Sequence, residues 1–419
     1  MAKKLNKFER FYANNRFVIN ICVLLAMFFV HCFWGNMMFV AFPILLLMVL
    51  FDNIRNGFSY VVFSIPFCMM NLYWSAILFA ACVCVYMIKF YVILYFKEKT
   101  KPNWLLIAFV ALFFIYASLP FGGYNANWGV RMAGFFAMFA FIGMVIKKPQ
   151  VARLGFNFRL LAFALLLSCV YSATFYISPY MNEAMVLSFA GGRGRFQSLL
   201  GHPNVLAMFC DFAIVALAYM ILSKKNKWFD WLLMIGLTVA GFFTLSKTFL
   251  LLMILVYLVI IIWLFTQNFL RTFIWGSIAV TALIVLGVVY QNIVAIIVNR
   301  FVGTFSECHT FADFMNMVTT YRYDLWVEYA THLAHNPLVL VFGAGMGAPV
   351  LSTLSAHNLF ITGTYQLGLV GMAILAVAII LMIHEYHKNA EEKTTWAIRL
   401  PIAVVFALSL VEDLIFYIV

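Results

Sequence analysis

Residues Phe249–Phe265 read FLLLMILVYLVIIIWLF, seventeen positions in a row without a charge. With Thr248, Thr266 and Gln267 the run reaches the ~20 residues that a helix needs to cross the hydrocarbon core of a bilayer. No water is present there to satisfy backbone N–H and C=O groups, so such a run folds as a helix. The same reading repeats along the chain. Apolar runs begin near residues 17, 37, 58, 73, 105, 131, 159, 204, 229, 249, 273, 358 and 400. The 37–51 and 58–72 runs are short and Glu412–Asp413 interrupts the last, so about 12–14 spans are expected. The chain is 66% hydrophobic and only 10% charged. A soluble domain carries roughly a quarter charged residues, so no large soluble domain is left over. Short alternating segments of the outer-membrane barrel kind are absent. The expectation is an all-α, polytopic transmembrane helical bundle, a single integral membrane domain over residues 1–419.

Lys3, Lys4, Lys7, Arg10 and Arg16 precede the first run. They resemble a signal-peptide n-region, but no small-residue cleavage site follows, and the segment reads as a retained first helix. Seven of the eight cysteines lie in or beside apolar runs and Cys308 in a polar stretch, without the spacing of a disulfide framework or a zinc site.

The net charge of +12 is placed by the spans rather than by nucleic acid. Lys and Arg collect in short connections: Arg55; Lys97, Lys99 and Lys101; Lys147, Lys148 and Arg153; Lys224, Lys225 and Lys227; Arg271; Lys388, Lys393 and Arg399. With the N-terminus in the cytoplasm, all of these connections fall on the cytoplasmic side, as the positive-inside rule requires. Six of the 27 basic residues do not: Arg131, Arg193, Arg195, Lys247, Arg300 and Arg322, which leaves 21 on the cytoplasmic side. These six fall on the outer side, either snorkelling to headgroups or building an anion site. Two outer segments are long enough to build one, residues 177–203 and 291–357.

The first reads Gly191-Gly192-Arg193-Gly194-Arg195-Phe196-Gln197-Ser198-Leu199-Leu200-Gly201-His202-Pro203-Asn204. Glycines let a backbone approach a ligand closely, and arginine pairs fork onto phosphate oxygens. Pro203 suits the first turn of the next helix, whose N-terminal amides favour an anion. Equally, the segment is a Gly-rich turn. The second holds Tyr321-Arg322-Tyr323-Asp324-Leu325-Trp326, which opens a short amphipathic helix over the membrane surface. A turn at Asn336-Pro337, then Gly343-Ala344-Gly345-Met346-Gly347, and His357-Asn358 at the mouth of the next span follow. A histidine there is either structural or a proton-transfer group.

Together these pieces resemble the O-antigen ligase and polymerase family of bacterial envelope glycosyltransferases. The resemblance rests on Arg195-Phe196 through Gly201-His202-Pro203-Asn204, then Thr244-Leu245-Ser246-Lys247, and Arg322 with Trp326. Pro337, Gly343-Ala344-Gly345, His357-Asn358, Gly368 and Gly371 complete it. It covers about residues 190 to 375. Where the family has Ser-Arg this chain has Ser246-Lys247, which keeps the charge and loses the two-pronged fork.

The resemblance implies a GT-C-like bundle in the bacterial inner membrane, with the N-terminus cytoplasmic and the active site on the outer, periplasmic face. It implies transfer of a glycan from undecaprenyl pyrophosphate to an acceptor hydroxyl, with inversion, no cofactor and no metal. His357 would take the acceptor proton. Arg193, Arg195, Arg322 and Lys247 would hold the pyrophosphate, and His202, Asn204, Asn358 and Gly345 would support the site. The outer acids Glu183, Glu307, Asp313, Asp324 and Glu328 show no pairing suited to a divalent cation. His332 and His335 share a helix face as a conceivable metal pair, without an evident third ligand.

The leading expectation is a repeat-unit polymerase, because nothing marks a lipid A-core site. The rival is an O-antigen ligase that moves finished glycan onto lipid A-core or another acceptor. A lipid-linked sugar transporter or flippase would instead need inverted repeats and midplane charges. Asp211 is the best candidate for such a charge. Tyr124, Trp128, Tyr321, Tyr323 and Trp326 stand ready either to stack on sugars or to anchor at the interface. The expected partners are the lipid-linked donor, a glycan or lipid acceptor and membrane lipids, with no nucleic acid.

Overall fold

The computed structural model describes residues 7–31, 34–68, 72–119, 128–172, 187–188, 195–292, 295, 298, 308–319, 322–346, 348, 351, 356 and 358–389. Within them the chain forms helices joined by turns and short connections, with one pair of two-residue strands, β1 (Leu187–Ser188) and β2 (Arg195–Phe196), which pair antiparallel. Five described helical stretches are long and apolar enough to cross a membrane: Ile77–Lys97, Gln150–Ser172, Pro203–Leu222, Lys247–Gln267 and Leu359–Tyr386. Asn15–His31, Met38–Phe51, Trp104–Ala117 and Trp228–Phe243 are shorter apolar helices. The protein is an all-α polytopic membrane protein.

It folds as two compact units, one from Met1–Thr100 and Lys148–Ser246, the other from Lys101–Lys147 and Lys247–Val419.

The first unit contains α1 (Lys7–His31), α2 (Met38–Phe51), α3 (Ile54–Ser64) and α4 (Leu72–Val92). The expected 58–72 span is thus an eleven-residue helix, about 16 Å long, followed by a 3-10 turn at Ile65–Phe67 around Pro66. Asn53 caps α3 by accepting from the Asn56 amide at 2.9 Å. The buried Asp52 just before it accepts from the Tyr60 hydroxyl at 2.6 Å and pairs with Arg16 at 3.5 Å. Lys89, on α4, donates to the last carbonyls of α2, Val49 and Leu50, at 2.8 Å each. That placement suits a cation at a helix C-terminus.

After the single turn α7 (Pro149–Ala152), α8 (Leu154–Ser172), α9 (Pro203–Leu222) and α10 (Trp228–Phe243) pack on one another. Helix α9 is the most buried of them: Leu206, Cys210, Ala213, Ile214 and Leu217 are all inaccessible. Small residues let its neighbours approach, as expected where lipid removes the hydrophobic drive for helix pairing. Arg159 of α8 grips the fully buried Asp230 of α10 with two hydrogen bonds, 2.7 and 2.9 Å. Asp230 also accepts from the Lys227 amide, closing the start of α10.

The second unit contains α5 (Trp104–Ala117), α6 (Trp128–Lys147), α11 (Lys247–Gln267) and α12 (Phe269–Val289), with α13 (Phe311–Thr319), α14 (Arg322–His335), α15 (Pro337–Phe342) and α16 (Leu359–Asn389). Helix α16 packs on α5 and α6 around Phe113, Phe135 and Phe139. At its far end Glu385 accepts from Lys147 at 2.5 Å and from Asn103 at 2.8 Å, while Asn103 caps α5. Helices α11 and α12 form a hairpin whose large apolar side chains, Leu251, Ile254, Ile262, Phe273 and Val288 among them, are exposed. In a bilayer such surface faces lipid.

Runs read from 37, 73, 105, 204, 229 and 358 begin within a residue of expectation, at Met38, Leu72, Trp104, Pro203, Trp228 and Leu359, whereas those read from 17, 58, 131, 159, 249 and 273 begin earlier, at Lys7, Ile54, Trp128, Leu154, Lys247 and Phe269. The span expected from 400, with Glu412–Asp413, lies outside the described residues.

Candidate functional site

In the first unit, β2 carries Arg195. Its Nε donates to the Thr244 carbonyl at 2.8 Å and its Nη2 to Asn204 Oδ1 at 2.7 Å. The guanidinium therefore ties the end of α10 to the first turn of α9. Both acceptors are neutral, so these two bonds orient the charge without cancelling it. The loop is fixed from below as well. Ser198 sits at φ 54° with its hydroxyl buried, where it accepts from Ser172 at 3.1 Å and lies 3.2 Å from Ser168 Oγ. Strain at a non-glycine residue in this region persists only where surrounding contacts enforce it.

Gly201 turns the chain at φ 71°, and a Cβ there would meet nothing within 4 Å. His202 is extended, Pro203 takes the first helical position and α9 begins, as the sequence suggested. Arg195 and Asn204 are thus brought together, with His202 two residues away. Arg193 lies outside the described residues, with Gly191, Gly192, Gly194 and Glu183.

In the second unit, Lys247 opens α11 and its ammonium donates to the Met317 carbonyl near the end of α13. The first turn of α13 is closed by a reciprocal cap. The Asp313 amide donates to the Thr310 hydroxyl at 3.1 Å, and the Asp313 carboxylate accepts from the Thr310 amide at 2.8 Å. Bonds from Thr310, then from the His309 amide, hold that carboxyl below the usual carboxylate range.

The expected amphipathic helix is α14, and Arg322 is its first residue. Its orphan amides are met by the preceding helix: Tyr323 N donates to Thr319 Oγ1 at 3.0 Å and Asp324 N to Asn316 Oδ1 at 3.1 Å. Arg322, Trp326 and Tyr329 fall at i, i+4 and i+7, on one face. Trp326 Nε1 donates to the Ala356 carbonyl at 2.7 Å, and the Tyr329 hydroxyl accepts from Leu351 N at 3.1 Å. Tyr329 also packs edge-on against Tyr365 at 5.2 Å. Pro337, read as part of a turn, occupies the first position of the short α15.

His357 lies outside the described residues, as do Arg300, Glu307, Tyr124 and Tyr321 and, within α6, the Arg131 side chain. Both chain neighbours of His357 are described. Ala356 is fully buried under the Trp326 bond, and Asn358 caps α16 by accepting from the amides of Phe360 at 3.0 Å and Ile361 at 3.2 Å.

Beneath this cap the Gly-rich loop docks on α16 itself. Ala344 N donates to the Tyr365 carbonyl at 2.7 Å and Gly345 N to the Gln366 carbonyl at 2.9 Å. Helix α16 is broken there by Gly368, at φ 65° and ψ 177°. Tyr116 of α5 closes the joint, donating to the carbonyls of Phe342 at 2.8 Å and Leu367 at 3.1 Å.

Three residues of this assembly carried no signal in the sequence: Tyr116, Tyr365 and Gln366. Each lies inside an apolar run where an aromatic or amide reads as core. Of the histidine pair, His332 packs on the Tyr365 ring at 5.8 Å and His335 Nδ1 lies 2.8 Å from the Thr331 carbonyl.

Comparison of the chain with protein-family models, with characterised proteins and with solved structures finds no match. The fold and these two anchored segments define the class, a helical membrane protein with cationic loops held at helix starts.

Proposed function

We propose that this protein is an envelope glycosyltransferase of the bacterial inner membrane. It takes an undecaprenyl-pyrophosphate-linked glycan as donor and joins repeat units on the periplasmic face, as an O-antigen or capsule-type polymerase does. The observation that carries the reading is the Trp326–Ala356 hydrogen bond. It fastens Ala356, the residue before His357 in sequence, to the helix face that begins with Arg322.

In the reaction the acceptor hydroxyl attacks the anomeric carbon, and His357 takes its proton. The bond from that carbon to the pyrophosphate oxygen breaks, and the lipid pyrophosphate leaves with the electron pair. The resemblance assigns the charge that the leaving group needs to Arg193, Arg195, Arg322 and Lys247. A single displacement inverts the anomeric centre. The resemblance to the O-antigen family and the positive-inside charge pattern support this reading and its sidedness.

Two observations bear on rivals. The same donor residues would serve a ligase, whose product is glycan on a second acceptor. The buried Asp211 of α9, whose Oδ1 has no hydrogen-bond partner, is the kind of group a lipid-linked sugar carrier would use. The test is the product formed by the purified protein from an undecaprenyl-pyrophosphate glycan, with and without added acceptor. Longer lipid-linked chains are expected. Glycan moved only to a second molecule would make it a ligase, and glycan moved across a vesicle membrane without new bonds would make it a carrier.

A further inference from the structure

Three buried polar side chains fall at i, i+4 and i+8 along the start of α16: the capping Asn358, then Thr362 and Gln366. Four-residue steps drift only ~40° around a helix, so the three share a sector. Asn358 is spent on capping the helix. Gln366 is not spent. It is 2% exposed, and its Oε1 is buried without a hydrogen-bond partner.

The backbone beneath that side chain is held hard. The Gln366 carbonyl accepts from Gly345, the Tyr365 carbonyl from Ala344, and Gly368 breaks the helix two residues later. A buried amide oxygen with no donor costs free energy that an apolar side chain of the same length would not. The group is fixed in place with its acceptor left over.

We propose that Gln366 is a specificity-determining residue: its Oε1 accepts a hydrogen bond from a hydroxyl or acetamido N–H of a sugar bound beneath the head of α16. The inference rests on the glycosyl-transfer reading. The rise from Asn358 to Gln366 is about 12 Å along the axis, and the side chain leans back toward the helix start. The contact therefore falls on a sugar unit away from the reacting centre. Such a contact is made equally in ground and transition states, so it sets KM rather than kcat.

The experiment uses the full-length protein in lipid nanodiscs with an undecaprenyl-pyrophosphate glycan. Gln366→Met keeps length and flexibility and removes the acceptor. It is expected to raise KM for the glycan about tenfold, equivalent to ~1.4 kcal/mol, with kcat within about twofold and Tm equal or higher. Gln366→Glu keeps an acceptor oxygen at the same reach and is expected to bring KM back to within about threefold of wild type. A wild-type KM in Gln366→Met, with the wild-type protein active, overturns the role of Gln366 alone. So does an activity loss that tracks a lowered Tm and is not rescued by glutamate. A wild-type protein that forms no glycosidic bond overturns the transferase reading as well.

Discussion

Gly343 and Gly368 meet backbone to backbone. A Cβ built on Gly343 would lie 2.6 Å from the Gly368 nitrogen, and one built on Gly368 would lie 2.5 Å from the Phe342 carbonyl carbon. Both also stand at positive φ, 83° and 65°. The break in α16 and the loop that bears Gly345 thus depend on two positions where only hydrogen fits.

Alanine at either position would enter the glycine-only region at positive φ with ψ near 180° (162° and 177°), at a cost of about 1–3 kcal/mol, and adds an overpacking cost of about 1–3 kcal/mol. Thermal unfolding in detergent should show both single variants well below wild type. Because each Cβ meets backbone from the other segment, the double variant should be less destabilised than the sum of the singles. Strict additivity would mean that the two positions do not share one joint.

The joint shows how far a sequence can be read. Gly343, Gly345 and Gly368 stood out as punctuation in apolar surroundings, and the helix starts followed from hydrophobic runs and from Pro203. That Gly343 and Gly368 touch is a tertiary fact that neither run contains. Tyr116 is a stronger case: its hydroxyl serves carbonyls 226 and 251 positions away, and nothing local distinguishes it from its aromatic neighbours. Arg195 was legible as an unusually placed cation, but its Thr244 partner was not, because a backbone carbonyl leaves no mark on residue type.

His357→Ala is expected to abolish glycan transfer, a loss of about 10²–10⁴-fold if the residue serves as general base, while the protein still inserts and unfolds at the wild-type temperature. The assay is product formation per unit of purified protein. Wild-type turnover in this variant removes His357 from the chemistry.

Arg195→Lys separates charge from geometry. The guanidinium spans Thr244 O and Asn204 Oδ1 through two nitrogens, Nε and Nη2. Lysine keeps the charge and reaches one acceptor at a time. The loss of one charge-assisted bond is worth about 1.5–3 kcal/mol. That loss falls on an intraprotein bond and should lower Tm; the displaced charge should in addition raise donor KM, with acceptor KM unchanged. Asn204→Ala should produce a smaller shift in the same direction. If acceptor KM moves and donor KM does not, Arg195 belongs to the other substrate.

Trp326→Phe tests the brace beside the candidate base. Phenylalanine fills most of the indole's place against Tyr329 and Ala356 but has no N–H to give the Ala356 carbonyl, now bonded at 2.7 Å. A net hydrogen bond contributes about 0.5–1.5 kcal/mol, and a buried carbonyl left without a partner costs about 1–3 kcal/mol. Tm should fall by a few degrees at most for a protein of this size. Activity should fall further than that change explains, because a misplacement of about 1 Å near the chemistry can cost ~10²-fold. The separation is made by measuring kcat well below the variant's own Tm, where all of the protein is folded. If kcat there equals wild type, the bond contributes only stability. If kcat is depressed while donor KM is unchanged, the Trp326–Ala356 bond positions the group that moves the proton, and the segment from Arg322 onward acts as part of the catalytic framework.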